Sequence, residues 1–336
     1  MAELHRHGAV RVTALASLLQ VSPVTIRRDI TRLAREKRLV KVHGGALLPP
    51  DPARTPRPVD RLTLGMIVPD LDFFWPQVIT GARTAAAMLG ADLRLRGSSY
   101  DPAEDRRQID RLRQTEHLDG LLLAPDVRDD LSGIGALGLP CLLMERAAPA
   151  WGPNAQPLES VRNDHDAGAE AALRHLAGQG HTRVGLVATP LSPNADLIEE
   201  AFIRACRTVG LTGDLTVRDT LRTDPTRALD VLRACRTTGT TALLVHSDLD
   251  AIALSRAATA NGIHVPDDLA LISYDDELAH LGEPPLTAVR PAKGQLGRMA
   301  VELLVSRLGE GSRRPANRLQ LVPTLIVRKS SIAHHP

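Results

Sequence analysis

The chain has 336 residues, 43% apolar and 24% charged, with a net charge of only +2. That length suits two or three domains, and the balance is that of a soluble globular protein. Cys141, Cys206 and Cys235 are odd in number and widely spaced, with no CxxC or Cys/His cluster. They read as reduced, buried small side chains and exclude a disulfide framework. No signal peptide and no apolar run of about 18 residues is read, so a cytoplasmic protein without a membrane span is expected. The charge is uneven: residues 1–58 hold 11 Lys/Arg against 4 Asp/Glu, or +7, and the remainder holds 30 against 35, or −5. A basic head on an acidic body fits a nucleic-acid module joined to something else.

In chain order, Thr13 is positioned to cap a short helix from Ala14 to Leu19, with Gln20-Val21 as a turn. Ser22 is a good N-cap and Pro23 suits the first helical position of the next helix. Ile26, Ile30 and Leu33 follow on one face, while Val24, Arg28, Thr31 and Arg35 share the opposite face, flanked by Thr25, Arg27 and Arg32. A cationic face with small hydroxyls suits DNA; the alternative is a solvated basic helix in an ordinary domain. Arg38 to Val42 reads as a strand of a hairpin, with Lys41 and His43 beside Gly44-Gly45.

This stretch closely resembles the DeoR-type winged helix-turn-helix, through Val21, Ser22, Thr25, Ile26, Arg27, Arg28, Asp29, Leu33 and the run His43-Gly44-Gly45-Ala46. The resemblance implies duplex DNA as partner. Ser22, Thr25, Arg27, Arg28 and Thr31 would enter the major groove, Lys41 and His43 on the wing would touch backbone or minor groove, and Val24, Arg35 and Gly44 complete the DNA-binding set. Seven residues before Gly8 are too few for the family's full first helix, so a truncated first helix is expected.

Residues 47–61 carry five prolines and read as a semi-rigid linker. From Leu62, short apolar runs alternate with helical stretches: LTLGMIVP, the helix Gln77–Leu89, ADLRLRGSS, the helix Ala103–Gln114, DGLLLAP and PCLLMER. The alternation restarts with SVRND, the helix Ala167–Ala177, TRVGLVAT, the helix Leu197–Val209, TALLVHS, the helix Leu249–Asn261 and LALISYDD. Strands alternating with helices predict an α/β fold with parallel sheets, and two series predict two lobes with a cleft. Ligands in such sheets bind beyond the strand carboxyl ends.

The body is similar to the sensor of the LacI/GalR regulators, a periplasmic-binding-protein-like fold. The likeness rests on GMIVPD (65–70), DGLLLAP (119–125), NDHDAG (163–168), HLAGQGHTRVG (175–185), SDLDAIAL (247–254), GIHVPDDLALISYDD (262–276), PPLTAVRP (284–291) and the closing LIVRKSS. It implies a winged helix-turn-helix domain at 1–48, a linker at 49–61 and a sensor at 62–332. The N-lobe would comprise about 62–162 and 291–322, and the C-lobe about 163–290 and 323–332, with chain crossings near Arg162, Pro291 and Val322.

The chain has only seven aromatics, and Phe73, Phe74 and Trp75 are three of them. They follow the first strand of the body, where an aromatic face can stack on a sugar or base. The alternative is a core plug beneath the cleft. The family's Asn-Pro-Phe-Phe turn is replaced by Asp72-Phe73-Phe74-Trp75. Asp275 matches the family carboxylate that holds ligand hydroxyls; the alternative is that Asp275 or Asp276 caps a turn. Ser247 stands where relatives carry a ligand-binding Asn. Ser98, Asp126 and Asp164 end strands and either line the cleft or sit in solvated turns, and Asn194 completes the set. Ile198 occupies the place of a family Arg, so Arg146 and Arg222 are expected to supply the cation. The run Gly133 to Gly138 matches GxGxxG but precedes a strand, so no dinucleotide site is expected.

No metal and no cofactor is expected. The function implied is a ligand-responsive transcriptional regulator, a repressor, controlled by a sugar or related polar metabolite. It would bind a pseudo-palindromic operator as a homodimer. The alternatives are a sugar-binding protein of a transport system, which the +7 head contradicts, and an α/β enzyme, for which no catalytic constellation is visible.

Overall fold

The computed structural model describes residues 9–36, 39–42, 45–47, 61–69, 73–98, 102–115, 117–124, 138–146, 158–190, 192–311 and 314–332. The chain divides into two compact units, Met1–Asp60 and Arg61–Pro336.

In the first unit, strand β1 (Ala9–Arg11) leads directly into helix α1 (Val12–Leu19), followed by helix α2 (Pro23–Arg35) and strands β2 (Val40–Val42) and β3 (Gly45–Leu47). The strands pair antiparallel in the order β1-β3-β2, with Arg11 opposite Gly45. Because β1 fixes Arg11, α1 begins at the next residue, and Thr13 lies inside the helix instead of capping it. Helix α2 starts as the sequence predicts: the Thr25 N–H donates to Ser22 Oγ at 3.2 Å, and Pro23 takes the first turn. Ile26 and Ile30 are buried against Val12, Ala16, Leu39 and Ala46, which form the small core of the head.

In the second unit, one sheet contains β4 (Leu62–Val68), β5 (Ala91–Gly97), β6 (Gly120–Leu123), β7 (Cys141–Met144), β8 (Glu159–Asn163) and β14 (Arg318–Leu321). Their order is β14-β8-β7-β6-β4-β5, and every pairing is parallel. The other sheet contains β9 (Arg183–Ala188), β10 (Thr212–Arg218), β11 (Ala242–His246), β12 (Ala270–Tyr274), β13 (Thr287–Arg290) and β15 (Thr324–Ile326). Its order is β10-β9-β11-β12-β13-β15, parallel except for the last pair. Helices α3 (Phe74–Met88), α4 (Pro102–Thr115) and α9 (Lys293–Glu310) serve the first sheet; α5 (His165–Gly178), α6 (Ala195–Val209), α7 (Pro225–Thr238) and α8 (Asp248–Ala260) serve the second. Separate apolar clusters fill the two faces of each sheet, so the central strands are buried throughout, as in β6 and β12. The chain leaves the first sheet after β8, returns after β13 and leaves again after β14. No helix among the described residues is long and apolar enough to cross a membrane.

Two features fix the lobes internally. The serines of the closing RKSS run are buried: Ser330 Oγ accepts from the Thr287 N–H at 2.8 Å, and Ser331 Oγ meets Thr287 Oγ1 at 2.6 Å. Helices α3 and α9 touch backbone to backbone. A Cβ at Gly297 would lie 1.9 Å from the Val78 carbonyl oxygen, and one at Gly81 would lie 2.0 Å from that of Gly294. A backbone obstacle cannot rotate aside, so Gly297→Ala should cost at least the upper part of the overpacking range of about 1–3 kcal/mol. Chemical denaturation reads this directly; an unchanged midpoint would remove the close helix contact from the account.

Candidate effector cleft and DNA-binding face

A cavity of about 600 Å³ lies between the carboxyl ends of the two sheets. Phe73, Phe74, Trp75, Glu145, Arg146 and Pro291 border it on one side; His165, Thr189, Asn194, Ile198, Arg222, His246, Ser247, Asp248, Tyr274, Asp275 and Glu277 are among those bordering it on the other. Four of the five described non-glycine residues with positive φ are Phe73, Glu145, Asp275 and Asp276. The first three border the cavity, so backbone strain is concentrated here, as functional sites often tolerate.

At the end of β12, two adjacent carboxylates take opposite environments. Asp276 is sequestered and bound by Arg290, at 2.6 Å, and by Arg328, at 2.7 Å. Asp275 turns to the cleft with 23% of its side chain exposed, 3.7 Å from His246 Nε2. Burial pushes the Asp275 carboxyl up to about 6; Lys293 draws it down and Glu277 raises it. Asp248, at the start of α8, accepts the backbone N–H groups of Glu277, Leu278 and Ala279 at 2.6, 2.8 and 3.2 Å and so shapes the loop after Asp275.

The opposite wall is built on Glu145. Its Oε1 accepts from the Asn163 backbone and side chain at 2.8 and 2.7 Å, and Oε2 accepts from Asn194 Nδ2 at 3.3 Å. Burial raises its pKa. His165 Nδ1 lies 3.0 Å from the Tyr274 hydroxyl. Burial lowers His165 to about 3 and His246 to about 4, so both are neutral at pH 7. Gly168 makes room for this pair, since a Cβ there would lie 2.8 Å from the Tyr274 hydroxyl. Among the described residues, no group of three His, Cys, Asp or Glu side chains is arranged to hold a metal.

Of the residues selected from sequence, Phe73, Phe74, Trp75, Arg146, Asn194, Arg222, Ser247 and Asp275 meet at this cavity. Trp75 is only 3% exposed and belongs to the lobe core, whereas Phe73, at 54%, presents its ring to solvent. Ser98 does not border the cavity; its backbone N–H extends the sheet by donating to Val68 O at 2.8 Å. Asp164 is also away from it, because its carboxylate caps α5 through the Ala167 N–H at 3.0 Å. Asp72 and Asp126 lie outside the described residues. Both arginines expected to supply the cation border the cavity, and both are engaged by the protein itself. Arg222 is paired with Asp250 at 3.0 Å, and Arg146, 1% exposed, donates to the Glu145 carbonyl at 2.7 Å. Glu145, His165, His246, Asp248, Tyr274 and Glu277 were not selected from sequence. The strand-end rule alone would have found His246 and Glu145, each immediately beside a selected residue.

On the head, Ser22, Val24, Thr25 and Arg28 are exposed, and Thr31 is half-buried. Val24 is 69% exposed. Ser22 Oγ also lies 2.9 Å from Thr25 Oγ1. The side chains of Arg27, Arg35 and Lys41, together with His43 and Gly44, lie outside the described residues.

An exposed helix-turn-helix face and a cleft between two parallel sheets define a DNA-binding head on a ligand-sensing body, a transcriptional regulator. Residues 1–50 match the DeoR-like helix-turn-helix domain, and residues 173–331 match the periplasmic binding protein-like domain. The HTH-type transcriptional repressor CytR of Escherichia coli is 28% identical over 317 residues, covering 90% of this chain and 91% of that protein. A lac repressor dimer bound to operator and an anti-inducer shares the fold, with TM-score 0.69 and 23% identity over 82% of this chain and 96% of that one. So does a CelR–cellobiose complex, with TM-score 0.68 and 23% identity over 96% and 99%. The chain thus joins a segment matching the DeoR-like helix-turn-helix domain to one matching the periplasmic binding protein-like domain. That pairing of domains, with the likeness to CytR, is the organisation of a ligand-responsive transcriptional regulator.

The Asp275 environment carries a stability consequence. The folded state holds its proton to about 6, whereas the ordinary value is 3.8. The protonated group therefore favours folding at low pH, and that contribution is lost as pH rises from 3.8 through about 6. At pH 7.5 the buried carboxylate opposes folding, so Asp275→Asn should raise the melting temperature there and change it little at pH 4. An equal gain at both pH values would trace the effect to something other than the charge.

Proposed function

We propose that two copies of the protein set their α2 helices on a pseudo-palindromic operator, and that a carbohydrate-like metabolite bound in the cleft controls the hold. The cleft combines what such a ligand requires: the exposed Phe73 ring for an apolar sugar or base face, and Asp275, open to the cavity, as an acceptor for paired hydroxyls. Asp275 is the observation that carries the reading, because burying a carboxylate at a cavity wall is costly unless something donates to it. Asn194 and Ser247 complete the polar lining. The cellobiose complex of the similar CelR fold supports the ligand class.

In the head, Arg28 is an exposed cation on the face opposite buried Ile26 and Ile30, placed for a guanine edge. Val24 suits a thymine methyl. Ser22, Thr25 and Thr31, with Arg27 and Arg35, are assigned to the groove and its phosphates, and Lys41, His43 and Gly44 to the wing. Ligand acts only through its differential affinity for lobe arrangements that favour or disfavour DNA.

Two measurements test this function. Arg28→Ala should weaken operator binding by about 1–3 kcal/mol and relax preference at one base position; an equal loss on random duplex would reassign Arg28 to phosphate. Asp275→Ala should leave operator binding without effector intact while lowering effector affinity by about 10- to 100-fold, the range expected for charge-assisted hydrogen bonds. Unchanged effector affinity in calorimetry would move the site away from Asp275.

A further inference from the structure

Helix α2, with the sequence PVTIRRDITRLAR, carries four arginines and a single acid, Asp29. At about 100° per residue, Arg32 lies about 40° round the helix from Arg28, well inside the face opposite buried Ile26 and Ile30. Asp29 lies about 100° from Arg28 on the same side, at the margin of that face. Arg32 is exposed, Asp29 is half-exposed, and Arg32 Nη2 lies 3.4 Å from Asp29 Oδ1.

A carboxylate is out of place there on electrostatic grounds. Duplex DNA carries one negative charge per about 1.7 Å of its axis, so an acid beside the reading face repels the partner. Folding gains little from it in return. An exposed i,i+3 ion pair adds little to the stability of a helix. Asp29 also stands beyond the first turn, where an acid would have favoured the helix dipole.

What the pair does supply is aim. An arginine side chain has many rotamers, and ordering it on binding costs free energy. Asp29 engages one terminal nitrogen of the Arg32 guanidinium, a planar fork with five N–H donors. A guanine edge offers two acceptors, O6 and N7, that match such a fork. Arg28 and Arg32 are about 6 Å apart along the helix axis, which spans about two base-pair steps.

We propose that Arg32 is a second base-reading arginine of α2, addressing a guanine about two base pairs from the one that Arg28 addresses, and that Asp29 is its positioning residue. This rests on the reading of α2 as the helix that lies in the major groove. Asp29 lowers the general attraction of the helix for DNA and raises its selectivity. It holds the Arg32 fork ready for a base edge, and its charge disfavours the phosphates that would otherwise draw the guanidinium aside.

The test measures binding of the full-length protein to a duplex that it selects from a randomised pool, to single-base variants of that duplex, and to an unrelated duplex of the same length. Arg32→Ala should weaken the selected duplex by about 5- to 100-fold and flatten preference at a position different from the one that Arg28→Ala flattens. Arg32→Lys keeps the charge and loses the fork, so it should flatten the same position while holding the unrelated duplex as before. Asp29→Asn should flatten that position too, yet bind the unrelated duplex at least as tightly as the wild type, because a repelling charge is gone. A merely structural Asp29 would lose both duplexes together; that result, or a preference left intact in Asp29→Asn, overturns its role. Equal losses on the selected and unrelated duplexes in Arg32→Ala, or no loss on either, overturn the assignment of Arg32 while leaving Arg28 as a reader. If the wild-type protein selects no duplex, or if Arg28→Ala and Arg32→Ala both bind as it does, the groove reading of α2 falls as well.

Discussion

The body depends on an ion cluster around the buried Asp276 carboxylate at the end of β12. Asp276 accepts from Arg290, which ends β13, and from Arg328, which follows β15, so one carboxylate ties three strands of the second sheet together. An ion pair in that setting gains little over apolar packing, but removing one partner leaves a buried charge uncompensated. Its use here is geometric. With Asp276 fixed, the chain turns through two successive positive-φ residues, and Asp275 is carried to the opposite side, into the cleft. The planar, bidentate guanidinium fork suits this role better than an ammonium would.

The same loop is where the lobes meet. Lys293 of α9 and Gln77 of α3 belong to the first lobe, yet both reach Glu277, two residues beyond Asp275 in the second. Asn194 of the second lobe reaches back to Glu145 of the first, and Asn163 Oδ1 accepts from the Ala292 N–H where two chain crossings run side by side. Residues suited to touch a ligand are thus bonded to residues that join the lobes. A ligand that displaces or strengthens these bonds changes the relative free energy of lobe arrangements, which is the only way it can bias the head. In the first lobe α3 and α9 are packed backbone to backbone, which opposes absorbing such a shift by sliding.

Much of the fold was legible because its signals are local. The runs LTLGMIV, GLLL, ALLVH and ALISY could only be strands buried on both faces, and Ser22-Pro23 marked a helix start. What was missed carries weaker patterns. Strand β10, TGDLTVR, is a half-exposed edge strand, and β14 and β15 are three or four residues long. Helix α7, by contrast, carried both a readable start in Asp224-Pro225 and an apolar face at Ala228, Val231, Leu232 and Cys235, and was legible. The ligand wall was legible where a residue ends a strand, as with Asp275 and Ser247. It was illegible where the outcome depended on partners distant in sequence. Arg222 and Asp250 are 28 residues apart, and nothing local announces that the arginine is already engaged. Likewise Asp164 looked like a cleft residue because it ends a strand, but the helix that follows claims its carboxylate.

In the head, the hydrogen bonds that build the recognition helix bear on what it can read. Ser22 spends its acceptor on the Thr25 N–H, and its hydroxyl pairs with that of Thr25. Two of the polar groups at the groove end of α2 are therefore engaged with each other. Reading by them would have to share or break a capping bond worth about 1 kcal/mol to a helix supported by only a small core. In the proposed contact with DNA, base discrimination at this end of α2 would fall most heavily on the exposed Val24 and Arg28, while Ser22 and Thr25 hold the helix end in shape. Cap and contact are in this sense one device, and a substitution at Ser22 would be felt at Val24 and Arg28 before it was felt as a lost contact of its own.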